Sequence, residues 1–399
     1  MDKLLKPMLF LGSGISLPTG LPDLSEITAQ LFQKEWHKHS DQTFYPGPSP
    51  NPHDLGDEYV FVVKNFLKLL NEFSAPYLLD RRSAKTNYED IYYLCRQILD
   101  NERLEIDNPA IEPFVRIIRR KSKCLISQLS DSYHSVDLAE LASNAMVYIN
   151  CAVYYALYTN KMPIGLGLIC ELAKVCKALD IVSLNHDLLI ENELNTNKIE
   201  FVDGFGKPDG DVRLFDPRLF DKRAPSVKLY KLHGSINWHR FQDEVNQGRH
   251  KKYVDRYCAS LNRDFQHSKS GRRRLLFLNY TPIFLTGTYN KLSDYNFGII
   301  RHIQTKFEKA ITQHNIIIMS GYGWNDRGIN GQLFDWLFSS SHRRIILLHK
   351  DPEIKIKEES RSGMWHRYDQ LVSEGRLVPI KKGLSEISLD EILPIITAR

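Results

Sequence analysis

The sequence predicts an α/β protein built on a doubly wound parallel sheet that is interrupted by a large helical insertion. Three observations carry this. Short apolar runs alternate with helical periodicity at the start of the chain and again from Gly165 nearly to the end. Several of those runs, such as Ile316-Ile317-Ile318-Met319 and Ile345-Ile346-Leu347-Leu348, are apolar at consecutive positions, as strands buried on both faces require. Between them, from about residue 31 to residue 160, helical spacing stands almost alone.

Taken in order, Lys6 to Leu11 form a strand that runs into a glycine turn and then a helix, the usual opening of a nucleotide-binding sheet. Helical periodicity follows over Tyr59 to Phe73, Asn87 to Leu99, Ile111 to Leu129 and Ser135 to Tyr158, with Asn87 and Ser135 as candidate N-caps. Pro46, Pro48, Pro50 and Pro52 forbid a helix and predict an extended loop, either a surface connection or a lid. Alternation resumes with helix Leu166 to Leu179, strand Asp180 to Leu184, a short helix, and strand Val227 to Leu232. Strands Pro282 to Gly287, Ile316 to Gly321 and Arg344 to His349 complete the pattern, with helices Tyr295 to Gln313 and Asn330 to Phe338 between them. There is no internal repeat. The reading is one domain over residues 1–399, its sheet drawn from 1–30 and 165–399, with 31–160 inserted.

Composition limits the class. At 399 residues, with 42% hydrophobic and 25% charged residues, the chain can bury a large core without staples. Six cysteines include no C-x-x-C pair, so neither a zinc ribbon nor a dithiol redox site arises from local spacing. They read as buried thiols of a cytoplasmic protein, and no apolar stretch is long enough to span a bilayer. The net charge of +5 is mild. Basic runs at Arg119-Arg120-Lys121-Ser122-Lys123, at Arg249-His250-Lys251-Lys252, and at Lys269 with Arg272-Arg273-Arg274 suit a solvated or protein-binding face, or else a nucleic-acid contact.

Three short motifs carry the chemistry, and each follows an apolar strand: Gly12-Ser13-Gly14-Ile15-Ser16, Ser183-Leu184-Asn185-His186-Asp187, and Lys231-Leu232-His233-Gly234-Ser235. The glycines allow a tight turn and close approach to a pyrophosphate, with a helix N-terminus behind them. The next glycine is Gly20, so the hydride-transfer fingerprint G-x-G-x-x-G is not completed. The other two motifs bring one amide, one carboxylate and one imidazole. His186 reads as a structural neighbour of the site, Tyr322, Trp238 and Trp324 as core or pocket walls, and His37-Lys38-His39 as an exposed helix end with only a faint metal signal.

Together with Gly20-Leu21-Pro22-Asp23, these motifs resemble the sirtuin signatures, in the same order and strand context. Tyr88-Glu89-Asp90-Ile91, the run from Asn185 to Glu191, Lys231 to Trp238, and Gly321-Tyr322-Gly323-Trp324-Asn325-Asp326 further resemble the sirtuin-like branch found in bacterial antiphage defence. The resemblance implies a Rossmann-like fold and NAD+ as substrate. It implies that Gly12, Ser13, Gly14 and Asp23 belong to the cofactor loop, and that the backbone of Ile15 and the carboxylate of Asp187 grip the nicotinamide carboxamide. Asn185 would orient the ribose and the attacking water, His233 would act as general base, and Ser320, Gly321 and Asp326 would contact the adenosine ribose and phosphates.

The chain departs from the deacylase pattern. It lacks the four zinc cysteines, so no metal is expected, and Leu24 and Leu184 stand where deacylases carry other residues. The expected function is therefore NAD+ glycohydrolysis to nicotinamide and ADP-ribose, as an effector that depletes NAD+ during abortive antiphage defence. Control would come through homo-oligomerisation or a partner, which the resemblance suggests is a HerA-type ATPase. An NAD-dependent protein deacylase and a nucleic-acid-binding or nuclease subunit are the alternatives, as is a catalytically silent NAD+ or ADP-ribose sensor.

Overall fold

A computed structural model describes the chain except for residues 1–5, 40, 50–56, 83–84, 106–107, 133–135, 211, 248–249, 262–274, 278–280, 288–290, 361 and 398–399. Its centre is a seven-stranded sheet made of β1 (Met8–Leu11), β2 (Leu179–Ser183), β3 (Phe201–Val202), β4 (Val227–Lys231), β5 (Ile316–Ser320), β6 (Arg344–Leu348) and β7 (Leu377–Ile380). The order is β7-β6-β5-β1-β2-β4-β3, and every neighbouring pair is parallel. Residues alternate between the two faces, as the pleat demands. Met8 and Phe10 enter one core with Ile317, Met319, Ile345 and Leu347. Leu9 and Leu11 enter the other with Ile181, Leu229, Ile318 and Ile346.

Helices cover both faces, which makes the sheet doubly wound. On the first lie α9 (Gly298–Ile311), through Ile299, Ile300, Ile303 and Phe307, and α10 (Arg327–Phe338), through Ile329, Leu333, Trp336 and Leu337. On the second lie α6 (Gly167–Val175), α7 (Leu189–Thr196) and the last helix, Leu389–Thr397. Chain order reverses at β1, which pairs with β5 on one side and β2 on the other. In open parallel sheets the crevice at such a reversal, beyond the carboxyl ends of the strands, is where ligands bind.

Helix α1 (Leu24–Gln33) leads into the inserted stretch, which carries α2 (Asp57–Arg82), α3 (Tyr88–Glu102), α4 (Glu112–Ser132) and α5 (Leu138–Leu157). These helices pack around a separate core that includes Phe66, Ile91, Ile98, Tyr148, Ile149 and Val153. Asn87 caps α3 as expected, its side chain accepting from the N–H groups of Glu89 and Asp90. Helix α5 starts later than the sequence suggests and is capped by Asp137, which accepts from Glu140 N; Ser135 lies outside the described residues. Pro50 and Pro52 also lie outside them, while Phe44–Pro46 pairs with Trp36–Lys38 in a hairpin that the sequence did not suggest. His37 and Lys38 are therefore buried strand residues rather than an exposed helix end. Lys38 Nζ sits 3.7 Å from the Tyr59 ring centroid and 2.8 Å from Asn144 Oδ1, and burial lowers its pKa to about 8.

Two further differences concern strands. Trp238–Gln247 and His250–Ala259 form a long antiparallel hairpin, flanked by Leu275–Phe277 and Arg213–Leu214 in a four-stranded sheet. Lys251 and Lys252 belong to this hairpin, whereas Lys269 and Arg272 to Arg274 lie outside the described residues. Pro282 to Gly287 is not a sheet strand. It crosses beneath the His233 loop instead, with Leu285 N donating to His233 O and Ser235 N donating to Ile283 O. Gly234 permits this crossing: it has φ +80°, and a Cβ there would stand 2.3 Å from Ile283 O.

Candidate functional site

All three motifs, together with Gly321, emerge at carboxyl ends of β1, β2, β4 and β5, around the reversal at β1. The first exit is a backbone-to-backbone contact. Gly12 N donates to Ser320 O and Gly14 N to Gly321 O, both at 3.0 Å. A Cβ on Gly12 would lie 2.6 Å from Gly321 O, and one on Gly321, whose φ is +69°, would lie 2.6 Å from Gly12 O. These glycines are thus required by the meeting of two loops, before any ligand is considered.

No α-helix follows this turn directly. Ser13–Ile15 and Leu17–Thr19 are 3-10 turns, and α1 begins only at Leu24. Ser13 is exposed, while Ile15 is buried and its N–H is used by Gly12 O at 3.2 Å. Asp23 caps α1 in a reciprocal box with Glu26, each side chain accepting at 2.8 Å from the other's N–H. Ser320 turns its hydroxyl toward Leu348 O at 3.4 Å.

The amide and the carboxylate of the second motif meet on Ser16, a residue of the first motif with no role in the sequence reading. Ser16 Oγ donates to Asp187 Oδ2 at 2.8 Å and accepts from Asn185 Nδ2 at 3.0 Å. Because its proton goes to a carboxylate, the serine can only accept from Asn185, which places Nδ2 on that side. Asn185 Oδ1 is left as a buried acceptor with no partner among the described residues. Asp187 Oδ1 accepts from Leu189 N at 3.0 Å, fixing the start of α7.

Beneath this loop Lys231, only 2% exposed, bonds to Glu191 Oε1 and Ser235 Oγ at 2.8 Å and to the backbone carbonyl of Asp187. One ammonium therefore joins the asparagine loop to the histidine loop. Burial raises the Glu191 carboxyl and Lys231 opposes that rise.

On the imidazole side, His233 Nε2 lies 2.8 Å from Tyr295 Oη and 3.1 Å from Asp326 Oδ2. Tyr295 Oη is 2.6 Å from the same Oδ2, and Asp326 Oδ1 accepts from Ile329 N to cap α10. Asp326, expected beside the adenosine together with Ser320 and Gly321, is thus engaged with the histidine. Burial lowers the proton affinity of His233, against its hydrogen bond to Asp326. His186 packs between Phe284, at 4.7 Å between ring centroids, and His233, at 6.3 Å; burial first, then the charges of its neighbours, holds it well below its usual pKa.

The inserted helices reach this side as well. Glu89 on α3 pairs at 2.8 Å with Lys291, a buried residue of α8 (Lys291–Asp294), and Asn150 on α5 accepts from Thr286 Oγ1 at 3.0 Å. Tyr295 and Lys291 have no motif of their own, so sequence alone offered no signal for them. Ser16, Glu89, Glu191 and Lys231 stood inside quoted motifs without a function. Among the described residues, no group of three or more His, Cys, Asp or Glu is placed to hold a metal ion, and no helix is long and apolar enough to cross a membrane.

A family model described as a SIR2-like domain matches residues 180–371. No curated protein matches. Among solved structures, this chain is similar to a Sir2 homologue in complex with NAD, at 12% identity over 93% of this chain and 89% of that one, with a TM-score of 0.30. It is similar also to a variant Sir2 homologue in complex with ADP-ribose, at 10% identity over 93% and 92%, with a TM-score of 0.33.

Proposed function

We propose that the chain is an NAD+ glycohydrolase that releases nicotinamide and ADP-ribose, acting over residues 1–399 as one sirtuin-like unit with 31–160 as its insertion. The observation that supports this most is the Oδ1 of Asn185, a buried acceptor without a partner among the described residues, joined through Ser16 to the Asp187 carboxylate at the carboxyl edge of the sheet. Burying an amide oxygen without a donor is costly, and a ribose hydroxyl or a water would satisfy it. The SIR2-like match over 180–371 supports NAD+ as the molecule that brings that hydroxyl.

Cleavage of the nicotinamide–ribose bond builds positive charge on the ribose, so the site must hold the carboxamide, orient the ribose and manage one proton. Asp187 keeps lone pairs beyond those used by Ser16 and Leu189, and with the loop of Gly12, Ser13, Gly14 and Ile15 it would hold the carboxamide. Asn185 Oδ1 would orient the hydroxyl or the attacking water, and His233 would accept the proton. The loop of Ser320 and Gly321 would flank the rest of the dinucleotide. The role in antiphage defence, the cytoplasmic setting, self-association and a HerA-type ATPase partner belong to the same proposal and rest on the motif resemblance alone.

The test is NAD+ consumption by the purified protein, alone and with its partner, for wild type, Asn185→Ala and His233→Ala. Each variant should lose at least about a hundredfold in rate. Full-rate turnover by both would reject the site, and nicotinamide release that requires an acyl-peptide would favour the deacylase.

A further inference from the structure

The cluster of His233, Tyr295 and Asp326 contains more information than its distances, because its protons can be counted. A carboxylate only accepts, and a phenol has one proton to give. The 2.6 Å separation between Tyr295 Oη and Asp326 Oδ2 is that of a charge-assisted O–H···O⁻ bond, so Tyr295 spends its proton on Asp326. His233 Nε2 then faces two oxygens that present lone pairs, at 2.8 and 3.1 Å. A bare nitrogen would be repelled by both. Nε2 therefore carries a proton and donates, and the lone pair of the neutral ring lies on Nδ1.

We propose that Asp326, together with Tyr295, is the positioning element that fixes His233 as its Nε2–H tautomer, making Nδ1 the atom that accepts the proton during NAD+ cleavage. This rests on His233 being the base and specifies which of its nitrogens acts. When Nδ1 takes the proton from a ribose hydroxyl or water, the ring becomes an imidazolium whose charge faces the Asp326 carboxylate. Asp326 stays ionised throughout and gains no proton.

The surroundings suit that role. Burial alone would raise the Asp326 carboxyl, but the hydrogen bonds it accepts from His233 and Tyr295, with the Lys291 ammonium nearby, hold it below the ordinary carboxylate range. The remaining charged groups near the ring, Lys291 and Glu89, are paired with each other at 2.8 Å, and the nearby His186 is kept neutral by its burial. The aspartate is also held from behind. Trp324 adopts φ +56°, its carbonyl accepts from Asn330 Nδ2 at 2.9 Å, and Asn330 Oδ1 accepts from Tyr322 Oη at 2.7 Å. A left-handed tryptophan is a strained conformation retained where its surroundings impose it.

The experiment uses the full chain labelled with 15N-histidine. Long-range 1H–15N correlation, with His233 assigned by its absence in His233→Gln, reads the tautomer directly. Wild type should show a protonated Nε2 and an unprotonated Nδ1. Asp326→Asn keeps the cap on α10, since asparagine caps as well as aspartate, and it should lose the fixed tautomer. Its kcat for NAD+ cleavage should fall by about 10²–10⁴, with KM little changed. Tyr295→Phe should keep the tautomer and lose less.

A protonated Nδ1 in wild type overturns the proposal. So does an Asp326→Asn protein whose tautomer is unchanged, whether or not its activity falls. If wild type does not cleave NAD+ under any condition, the hydrolase reading fails while the tautomer measurement still decides this one.

Discussion

The two halves of the site differ in how completely their hydrogen bonds close. Within the cluster of His233, Tyr295 and Asp326 each shared proton goes to an oxygen: Tyr295 gives to Asp326, His233 Nε2–H gives to both oxygens, and Asp326 Oδ1 takes the N–H of Ile329. On the amide side Ser16 satisfies Asp187 and the Nδ2 of Asn185, yet Asn185 Oδ1 has no partner among the described residues. That contrast is what the proposed roles need: the closed half would hold His233 in one state, and the open half would be completed by a group that donates to Asn185.

Lys231 is where the two halves are tied together, so its removal should break the contrast most severely. Lys231→Met leaves the buried Glu191 carboxylate without its counter-charge and releases the Asp187 carbonyl. Breaking one member of a buried pair costs about 3–5 kcal/mol. Denaturant unfolding should show that loss, and the double variant Lys231→Met with Glu191→Leu should recover most of it. If the single variant is as stable as wild type, the clamp does not hold the loops.

Ser16→Ala probes the open half alone. It removes the acceptor for Asn185 Nδ2 and the donor to Asp187, leaving buried polar groups unsatisfied at a cost of about 1–3 kcal/mol. NAD+ cleavage should fall while the tautomer of His233, measured as above, stays as in wild type. A change at His233 would show that the halves are not separable.

Much of this was legible in the sequence, for reasons that can be named. The central strands were readable because Ile316 to Met319 and Ile345 to Leu348 are apolar on both faces, a pattern only a doubly covered sheet requires. Asn185, Asp187 and His233 could be placed at the carboxyl edge of the sheet because each follows a sheet strand by a few residues. The hairpin over Trp238–Gln247 and His250–Ala259 was not readable, since its polar composition hides the period of two. Pro282 to Gly287 misled because its apolar residues cover a loop instead of pairing in the sheet. The partners of His233 were hidden for a different reason: Tyr295 lies 62 residues from it, and Asp326 sat inside a motif whose expected role pointed elsewhere.

Asp23 gives the smallest effect and the finest discrimination. Its motif placed it with the dinucleotide, whereas its carboxylate is engaged with Glu26 N at the start of α1. Asparagine and aspartate cap about equally well, while alanine loses about 0.5–2 kcal/mol. A capping role predicts that Asp23→Ala lowers stability by roughly 1 kcal/mol, that Asp23→Asn does not, and that neither changes the KM for NAD+. A cofactor role predicts that KM rises in both variants, because the charge is lost in both. Equilibrium unfolding and steady-state kinetics on the same two proteins separate the outcomes, and a raised KM for Asp23→Asn at unchanged stability would move this carboxylate from the helix cap into the open half of the site.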